Sequence, residues 1–308
     1  MDTRLFSGQL KAKMTELGFS QCGFAKAEEL TEDLEYFNNW LSQGFHAEKA
    51  YLERSPETRA NPLKLMPEAR SVISATLNYY TPQTLPESQF YKVSRYAYGK
   101  DYHKVLTAKL SLIKDFILEN TSGKHCMFFV DSSPIFEKAW AKRAGLGWIG
   151  KNTLLLNQNT GSFHFIGTII TDIELEYDDV NPEHCGTCTK CIDACPTNAL
   201  SPLEIDVRKC ISNLTMDVKK DIPQQYKGKL ANYIYGCDIC QTVCPWNAKL
   251  EETKENDFMP SAELLEMTKE DWENITEEKF GKLFSDTAVL KIEHVILKRN
   301  IDFIRSKN

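Results

Sequence analysis

The sequence predicts an α+β fold with three regions: an N-terminal α/β domain (residues 1–178), a small cysteine-rich domain (179–250) and a short helical C-terminal tail (251–308). Helix-like and strand-like segments alternate through the first region, as in layered α/β or α+β domains. Eight of the ten cysteines then fall between Cys185 and Cys244. At 308 residues the chain also exceeds the about 100–200 residues usual for one domain. More than one module is therefore expected.

Each element is predicted from its residue pattern. Residues 1–60 have helical apolar spacing in LFSGQLKAKMTELGF and LEYFNNWLSQGF, with glycine as a stop signal. Strands are predicted for SVISATLNYY, CMFFV and FHFIGTIITDI, because these segments are rich in β-branched and aromatic residues. The amphipathic VLTAKLSLIKDFILEN predicts a helix among them, and a last helix is predicted around LKIEHVILKRNIDFI.

The composition is that of a soluble enzyme. Hydrophobic residues make up 42% of the chain and charged residues 26%, and no apolar run approaches the roughly 18 residues of a membrane helix. The N-terminus MDTRLFSGQLKAK has no apolar export segment, so a cytoplasmic location without membrane attachment is expected. In that reducing compartment, clustered cysteines indicate metal binding rather than disulfides.

Charge is unevenly distributed along the chain, although the net charge is only -6. Residues 91–151 hold eleven basic against five acidic residues, a balance of +6. Residues 251–278 hold eleven acidic residues against two lysines. A polyanion is therefore expected to approach the first segment and avoid the second. The alternative interpretation is a solvated helical surface.

The cysteine spacing is the most specific signal. Residues 185–196 have the pattern C-x2-C-x2-C-x3-C-P of bacterial ferredoxins, in which the fourth cysteine ligates the other cluster. Residues 237–245 have the pattern C-x2-C-x3-C-P, which lacks one cysteine, and Cys210 is the only cysteine between the two runs. The predicted ligands are Cys185, Cys188, Cys191 and Cys244 for one 4Fe–4S cluster, and Cys195, Cys210, Cys237 and Cys240 for the other. Zinc is the alternative, but structural zinc sites usually show separated C-x2-C pairs.

A glycine-rich segment resembles a nucleotide-binding motif. The segment GLGWIGKN at residues 145–152 fits GxGxxG, but a helix-like segment precedes it and a strand-like one follows, the reverse of a nucleotide loop. Its glycines instead allow close backbone approach or a helix C-cap at Gly145.

Asp131 follows the strand CMFFV, before Ser132-Ser133-Pro134, where a helix is expected to open at Pro134. Asp131 is either a cap or turn residue or a desolvated proton donor, and the residues alone leave both open.

Several segments together resemble the epoxyqueuosine reductase family: RYAYGKDYHK, VDSSPIFEKAWAKRAGLGWIGKNTLLLN, the first cysteine run, KCISNLTM and YGCDICQTVCPWN. They follow in order through most of residues 50–250. The resemblance implies cobalamin in the N-terminal domain and two 4Fe–4S clusters in a ferredoxin-like domain, with the same eight cysteines. It also implies reduction of epoxyqueuosine to queuosine in the anticodon loop of tRNA, with electrons from an external donor and a monomeric enzyme.

Residue roles follow from the same resemblance. Asp131 matches the proton donor, and Lys219 matches a tRNA-binding position. The positions that match cobalamin contacts are Arg59, Asp131, Leu155, Ile166, Ser212, Cys237 and Asp238. The basic segment is expected to hold anticodon phosphates, and four tyrosines within it are expected to suit stacking on bases: Tyr91, Tyr96, Tyr98 and Tyr102.

Longer members of that family continue into a helical, HEAT-like C-terminal region. The segment FSDTAVLKIEHVILKRNIDFI resembles its start, so part of the tRNA contact is expected to be absent here.

Two alternative functions are compatible with the sequence. A reductive dehalogenase-like enzyme would act on a small molecule, but it typically carries a twin-arginine signal, which this N-terminus lacks. A plain iron–sulfur electron carrier would use the first 180 residues only as a docking surface.

Overall fold

The computed structural model describes residues 2–306 and has a four-stranded antiparallel main sheet. In spatial order its strands are β1 (Gln21–Lys26), β2 (Ser71–Asn78), β7 (His164–Thr171) and β4 (Cys126–Phe129). The short strands are β3 (Lys92–Val93) parallel to β10 (Tyr233–Tyr235), β5 (Trp148–Ile149) with β6 (Leu155–Leu156), and β8 (Leu200–Ser201) with β9 (Glu204–Ile205). Antiparallel pairing of the main sheet is typical of α+β domains.

Helices surround this sheet and continue through the C-terminal region. The four longest are α1 (Thr3–Glu16), α2 (Thr31–Ser42), α4 (Tyr102–Asn120) and α12 (His294–Arg305). The shorter ones are α3 (Pro56–Ala60), α5 (Glu137–Arg143), α6 (Lys190–Asp193), α7 (Ile211–Met216), α8 (Ile239–Thr242), α9 (Ala262–Glu266), α10 (Lys269–Glu273) and α11 (Glu277–Leu283).

Most predicted elements are confirmed, and two local predictions are wrong. The strands β2, β4 and β7 and the helices α4 and α12 lie where the pattern places them. Residues 1–60 are not helical throughout, because β1 pairs with β2 along its whole length and becomes an edge of the sheet. The helix expected to open at Pro134 begins instead at Glu137, so Asp131 is not its cap. Asp131 has φ 52°, a left-handed conformation that Asp tolerates better than most residues.

The two faces of the main sheet bury separate apolar groups. One face packs against α1 and α4 through side chains such as Leu10, Leu110 and Ile169. The other face packs against α5, where Trp140 and Ile170 are fully buried. This second face lies beside the candidate site described below.

A third apolar core joins the three regions that are predicted from the sequence. It contains Tyr91 from the N-terminal region, Tyr235 from the cysteine-rich region, and Trp272 and Leu297 from the C-terminal region. Trp272 is fully buried, and its indole donates to the Gln89 side chain at 3.2 Å. The boundaries at residues 178 and 250 stay predictions, and this core crosses both of them. Over residues 2–306, no helix combines the length and apolar character needed to span a bilayer.

Candidate active site

Asp131 lies at the exit of β4 with its carboxylate largely exposed. The side chain is 67% accessible, and its Oδ2 accepts a hydrogen bond of 2.8 Å from the Tyr102 hydroxyl. The His103 Nε2 lies 3.9 Å from the same oxygen. Tyr102 and His103 belong to the first turn of α4, so the strand and the helix together position the carboxylate. Both recorded contacts are made by Oδ2.

The backbone of Asp131 is fixed by Glu137. The Asp131 N–H donates to both carboxylate oxygens of Glu137, at 3.1 and 3.2 Å. Burial raises the pKa of Glu137 to about 8, and the charge of Asp131 contributes to that increase. Glu137 is the first residue of α5, so this bond ties the loop between Asp131 and α5 into a closed turn.

Tyr102 is positioned so that its hydroxyl donates to Asp131. Its ring stacks on Phe165 of β7, with centroids 4.2 Å apart and an interplanar angle of 6°. Burial raises the pKa of the Tyr102 hydroxyl well above its usual range, and the nearby Asp131 raises it further. The hydroxyl therefore keeps its proton at any working pH and acts as a hydrogen-bond donor.

Three of the predicted cobalamin contacts lie near this loop or beside the sheet. The Arg59 carbonyl accepts from the Phe136 N–H at 3.1 Å, so Arg59 adjoins the loop that follows Asp131. Burial lowers the pKa of the Arg59 guanidinium, which lies over the Tyr51 ring. Leu155 and Ile166 belong to one small apolar group beside α5. Their role as cobalamin contacts stays a prediction.

A row of buried polar side chains flanks Ile166 on the same face of the sheet. Among residues 2–306, Ser74 Oγ, Thr76 Oγ1, His164 Nδ1 and Thr168 Oγ1 have no hydrogen-bond partner. The register pairs Ser74 with Thr168 and Thr76 with Ile166, and directly opposed residues share a face. Burial lowers the pKa of His164 to about 4, so its ring is neutral. Cobalamin is bulky and rich in amide groups, so this donor and acceptor set fits it.

A second group of contacts links Asp131 to the cysteine-rich region. The ring of Tyr96 lies edge-on to Tyr102, with centroids 6.3 Å apart. The Tyr96 hydroxyl contacts Met216 Sδ at 3.4 Å, and Ser212 Oγ contacts the same sulfur at 3.4 Å. Ser212 therefore lies a short chain of contacts away from Asp131. It also lies two residues after Cys210, a predicted cluster ligand.

Asp238 joins the cysteine-rich region to the N-terminal one. It is buried, and its carboxylate accepts a very short hydrogen bond from Ser94 Oγ and one of 2.8 Å from the Arg95 N–H. Burial raises the pKa of Asp238, whereas these two bonds lower it. Because Asp238 follows Cys237 directly, the turn at Ser94 and Arg95 fixes a predicted cluster ligand against the face that carries Tyr96.

The thiols predicted to hold the first cluster are neighbours. Burial raises the pKa of Cys191 and of Cys244, and the adjacent Cys185 contributes in both cases. Cys188 also lies close enough to raise the pKa of Cys244. This proximity is compatible with the predicted ligand set, which stays a prediction.

The thiols predicted to hold the second cluster are also neighbours. Burial raises the pKa of Cys237, and Cys210 and Cys195 contribute. Cys240 responds in the same way to Cys237 and Cys210, and also to Cys191 of the first set, so the two sets adjoin. The helices α6 and α8, which run through the two cysteine motifs, contact each other. In the described part of the chain, no three His, Cys, Asp or Glu side chains converge on a single ion.

The glycine-rich segment is structural, as predicted. The Gly145 and Leu146 N–H groups bond back to the Lys142 and Ala141 carbonyls and close the end of α5. Gly145 has φ +72°, and a Cβ there would lie 2.5 Å from the Asp179 carbonyl oxygen. A Cβ on Gly147 would meet the Leu156 carbonyl oxygen at 2.0 Å. The helix before the segment and the strand pair β5–β6 that follows exclude a nucleotide loop.

The structure contradicts one expectation about stacking, and it adds ion pairs to the uneven charge distribution. Acidic residues of the segment 251–278 pair with the basic segment, as in Lys100–Asp257 at 2.7 Å and Lys109–Glu255 at 2.8 Å. These pairs partly neutralise the two segments, and the expected approach of a polyanion to residues 91–151 stays a prediction. Among the tyrosines proposed for base stacking, Tyr91 is 1% exposed because it packs in the third core.

Tyr98 is buried, whereas Lys219 is exposed. Tyr98 is only 5% exposed and belongs to the same core as Tyr91, so it is not available for stacking on a base. Lys219 is exposed on the loop after α7, outside the contacts that link Asp131 to Ser212. Arg299 of α12 binds the Lys220 carbonyl at 2.5 Å and the Leu214 carbonyl at 2.9 Å, and so anchors that loop.

Comparisons with known proteins identify the family. The family model described as Epoxyqueuosine reductase QueG, DUF1730 matches residues 59–132, and the 4Fe-4S double cluster binding domain matches residues 184–247. An epoxyqueuosine reductase of Cellulophaga algicola is 46% identical over 300 residues, covering 97% of this chain and 98% of that protein. The chain belongs to the epoxyqueuosine reductase family. The Escherichia coli member is 38% identical over 312 residues, which cover 98% of this chain and 81% of the relative.

Solved structures of the family share the fold. A crystal structure of epoxyqueuosine reductase with an epoxyqueuosine-modified tRNA-Tyr stem loop superimposes with a TM-score of 0.90 at 29% identity, covering 97% of this chain and 80% of that one. The Bacillus subtilis enzyme, with its catalytic loop swung out of the active site, gives 0.87 at 27% identity, covering 97% and 81%. The double-cluster match shows that the cysteine-rich region is an iron–sulfur domain of the 4Fe–4S type.

Several contacts that build the site were not expected from the sequence. Tyr102, His103 and Glu137 all contact Asp131, but Tyr102 was expected only to stack on a base, and His103 and Glu137 were assigned no role. Tyr102 and His103 lie in the motif RYAYGKDYHK, which was recognised as a segment and not residue by residue. Glu137 lies six residues after Asp131, and no spacing rule for a loop predicts its contact with the Asp131 N–H.

Proposed function

We propose that this chain reduces epoxyqueuosine to queuosine in the anticodon loop of tRNA. The observation that carries the proposal is the placement of Asp131, whose exposed carboxylate is oriented by Tyr102. A continuous set of contacts runs from this carboxylate through Tyr96 to Ser212, beside a predicted cluster ligand. An acid of this kind next to an electron-carrying domain suits a reduction that consumes protons.

The reaction fixes what the site must supply. Converting the epoxide to an alkene breaks both carbon–oxygen bonds and releases the oxygen as water, which consumes two electrons and two protons. Asp131 is the proposed proton donor to the epoxide oxygen. The electrons would come from an external one-electron donor through two 4Fe–4S clusters held by the eight predicted cysteines in a ferredoxin-like domain.

Cobalamin, when bound, would supply the reducing centre that opens the epoxide. The residues proposed to hold it are Arg59, Asp131, Leu155, Ile166, Ser212, Cys237 and Asp238. The polar row that flanks Ile166 offers further hydrogen bonds to its amide groups. The Asp238 bonds to Ser94 and Arg95 keep the cluster side of this pocket in register with the sheet side.

The substrate base has to leave the anticodon loop to reach Asp131. Single-stranded loops allow a base to be splayed into a pocket while basic side chains hold the phosphates. Lys219, exposed on the loop that Arg299 anchors, is proposed to contact tRNA. Lys219→Ala should then weaken tRNA binding and reduce its salt dependence by about one unit of slope. Lys13→Ala on α1 is the matched control, and an equal effect of both variants would contradict this role.

The decisive experiment is incubation of the protein, loaded with iron, sulfide and cobalamin, with epoxyqueuosine tRNA and a reductant, followed by nucleoside analysis. Queuosine should form with the wild type and with Asp115→Asn, an exposed aspartate of α4. Asp131→Asn should lose most of the turnover while keeping both cofactors. Near-normal turnover by Asp131→Asn with full cofactor loading would contradict the proton-donor role. Iron–sulfur absorption without any cobalamin band in the reconstituted protein would favour a plain electron carrier.

A further inference from the structure

The source of the second proton in the proposed reduction has not been assigned to a residue. The proposed reduction consumes two protons, whereas the Asp131 carboxyl holds one. The ionisable side chains recorded against an oxygen of this carboxylate are Tyr102 and His103, whereas Glu137 contacts the Asp131 N–H. Tyr102 keeps its proton, because burial and the charge of Asp131 both raise its pKa. His103 is therefore the group at a carboxylate oxygen that can pass on a proton, a common role of the imidazole ring.

The His103 ring lies between Asp101 and Asp131. Its Nδ1 lies 2.6 Å from Asp101 Oδ1, and its Nε2 lies 3.9 Å from Asp131 Oδ2. Asp101 is the N-cap of α4, and the same Oδ1 accepts from the His103 N–H at 3.1 Å, so the pair is fixed to the start of the helix. A hydrogen bond at one ring nitrogen orients the other nitrogen toward its proton acceptor. Such contacts commonly shorten when substrate binds.

Three charged side chains surround the His103 ring, which also reaches solvent. Burial alone would raise the pKa of Asp101, but its bonds to His103 and the charge of Lys291 lower it overall, so Asp101 is a carboxylate. Lys291 of the C-terminal region lies 2.9 Å from His103 Nδ1 and 3.6 Å from Asp101 Oδ2. The ring therefore lies among two carboxylates, Asp101 and Asp131, and the Lys291 ammonium, which is also 3.2 Å from Nε2. The His103 side chain is 25% accessible and so reaches water.

We propose that His103, oriented by Asp101, returns a proton to Asp131 between the two proton transfers of the reaction. This inference rests on the proposed function. Asp131 first protonates the opening epoxide oxygen and becomes a carboxylate. His103 then transfers its Nε2 proton to Asp131 Oδ2, becomes neutral imidazole, and is reprotonated from solvent. Asp131 delivers the second proton as the oxygen leaves as water, and the two electrons would come from an external one-electron donor through the clusters that the eight cysteines are proposed to hold. His103 acts through Asp131 and does not touch the substrate.

The test uses His103→Ala and His103→Asn in the fully loaded protein, with His125→Asn as the matched control. His125 is an exposed histidine that pairs with Glu68 away from this site. Both His103 variants should lose about 100-fold in turnover, the lower end of the roughly 100- to 10,000-fold contribution of proton-transfer groups. Added imidazole should restore turnover of His103→Ala in proportion to the imidazolium concentration, and should not restore Asp131→Asn. Iron content and the cobalamin spectrum check that each variant is folded.

The pH profile gives an independent measurement. The groups that face His103 are Asp101, Tyr102, Asp131 and Lys291, and wild-type turnover should depend on pH through the protonation of the imidazole. That dependence should be absent in His103→Ala. Wild-type rates in the His103 variants would overturn the relay. Slow variants with no imidazole rescue and an unchanged pH profile would also overturn it, because they would indicate a purely structural role. A wild-type protein that forms no queuosine would instead contradict the proposed function.

Discussion

Replacing Tyr102 by Phe removes one hydroxyl from the candidate site and little else. The ring stack on Phe165 is retained, because the substitution keeps the aromatic ring. The lost interaction is the 2.8 Å hydrogen bond to Asp131 Oδ2. Tyr102→Phe therefore tests whether the orientation of the Asp131 carboxylate matters for turnover.

The expected magnitude follows from the exposure of the partner. A hydrogen bond to a charged group contributes about 1.5–3 kcal/mol when it is shielded from solvent. Asp131 is 67% accessible, and water replaces part of the lost bond, so the effect should be nearer to about 0.5–1.5 kcal/mol. That range corresponds to an about 2- to 13-fold decrease in turnover. The free energy of unfolding should change little.

The assay is single-turnover conversion of epoxyqueuosine tRNA, followed by nucleoside analysis, in four proteins: wild type, Tyr102→Phe, Asp131→Asn and the double variant. If Tyr102 acts through Asp131, the double variant should be no slower than Asp131→Asn, because the two substitutions remove one functional unit. Full activity of Tyr102→Phe would refute the orienting role. Independent, additive losses would show that Tyr102 acts elsewhere, for example through its stack.

Three further predictions concern the loop after Asp131, the second predicted cluster and the third core. Glu137 should bind its proton up to about pH 8 in the folded protein but only to about pH 4.5 when unfolded, so stability should fall between these values as pH rises. Glu137→Gln should flatten that dependence in thermal unfolding at pH 5.5 and 8.5, and parallel wild-type and variant curves would contradict it. Cys210→Ser should lose about half of the bound iron, whereas Cys126→Ala, in the apolar core, should retain it; full iron in Cys210→Ser would reject that ligand assignment. Trp272→Ala should lower the free energy of unfolding by about 3–5 kcal/mol in denaturant titrations, because Trp272 is fully buried. A loss below about 1 kcal/mol would show that this core does not stabilise the protein.

Elements with strong local patterns could be predicted from the sequence. The strands β2, β4 and β7 and the helix α4 were predicted because β-branched runs and amphipathic spacing report burial locally. The strand β1 was missed, because QCGFAK has a weak strand pattern and becomes a strand only by pairing with β2. The Pro134 helix start was wrong because the loop after Asp131 bonds back to Glu137 instead.

The partnership between distant segments could not be predicted. Local spacing does not show that the acidic C-terminal region pairs with Lys100 and Lys104, nor that Tyr91 is buried against the same region. Both follow from contacts between residues more than 150 positions apart. These contacts cover part of residues 91–151, and no local pattern in that segment indicates them.

The sequence by itself determined the iron–sulfur character of the cysteine-rich region and the family, because cysteine spacing and ordered motifs encode them directly. It also placed Asp131 at a strand end but left its role open between a turn residue and an acid. Only the tertiary structure brought the start of α4 to that strand, and with it Tyr102, His103 and the Asp101 that orients the imidazole. The physical reason is that a proton-transfer site depends on distances of 3–4 Å between side chains, and these distances are set by how the helix packs on the sheet.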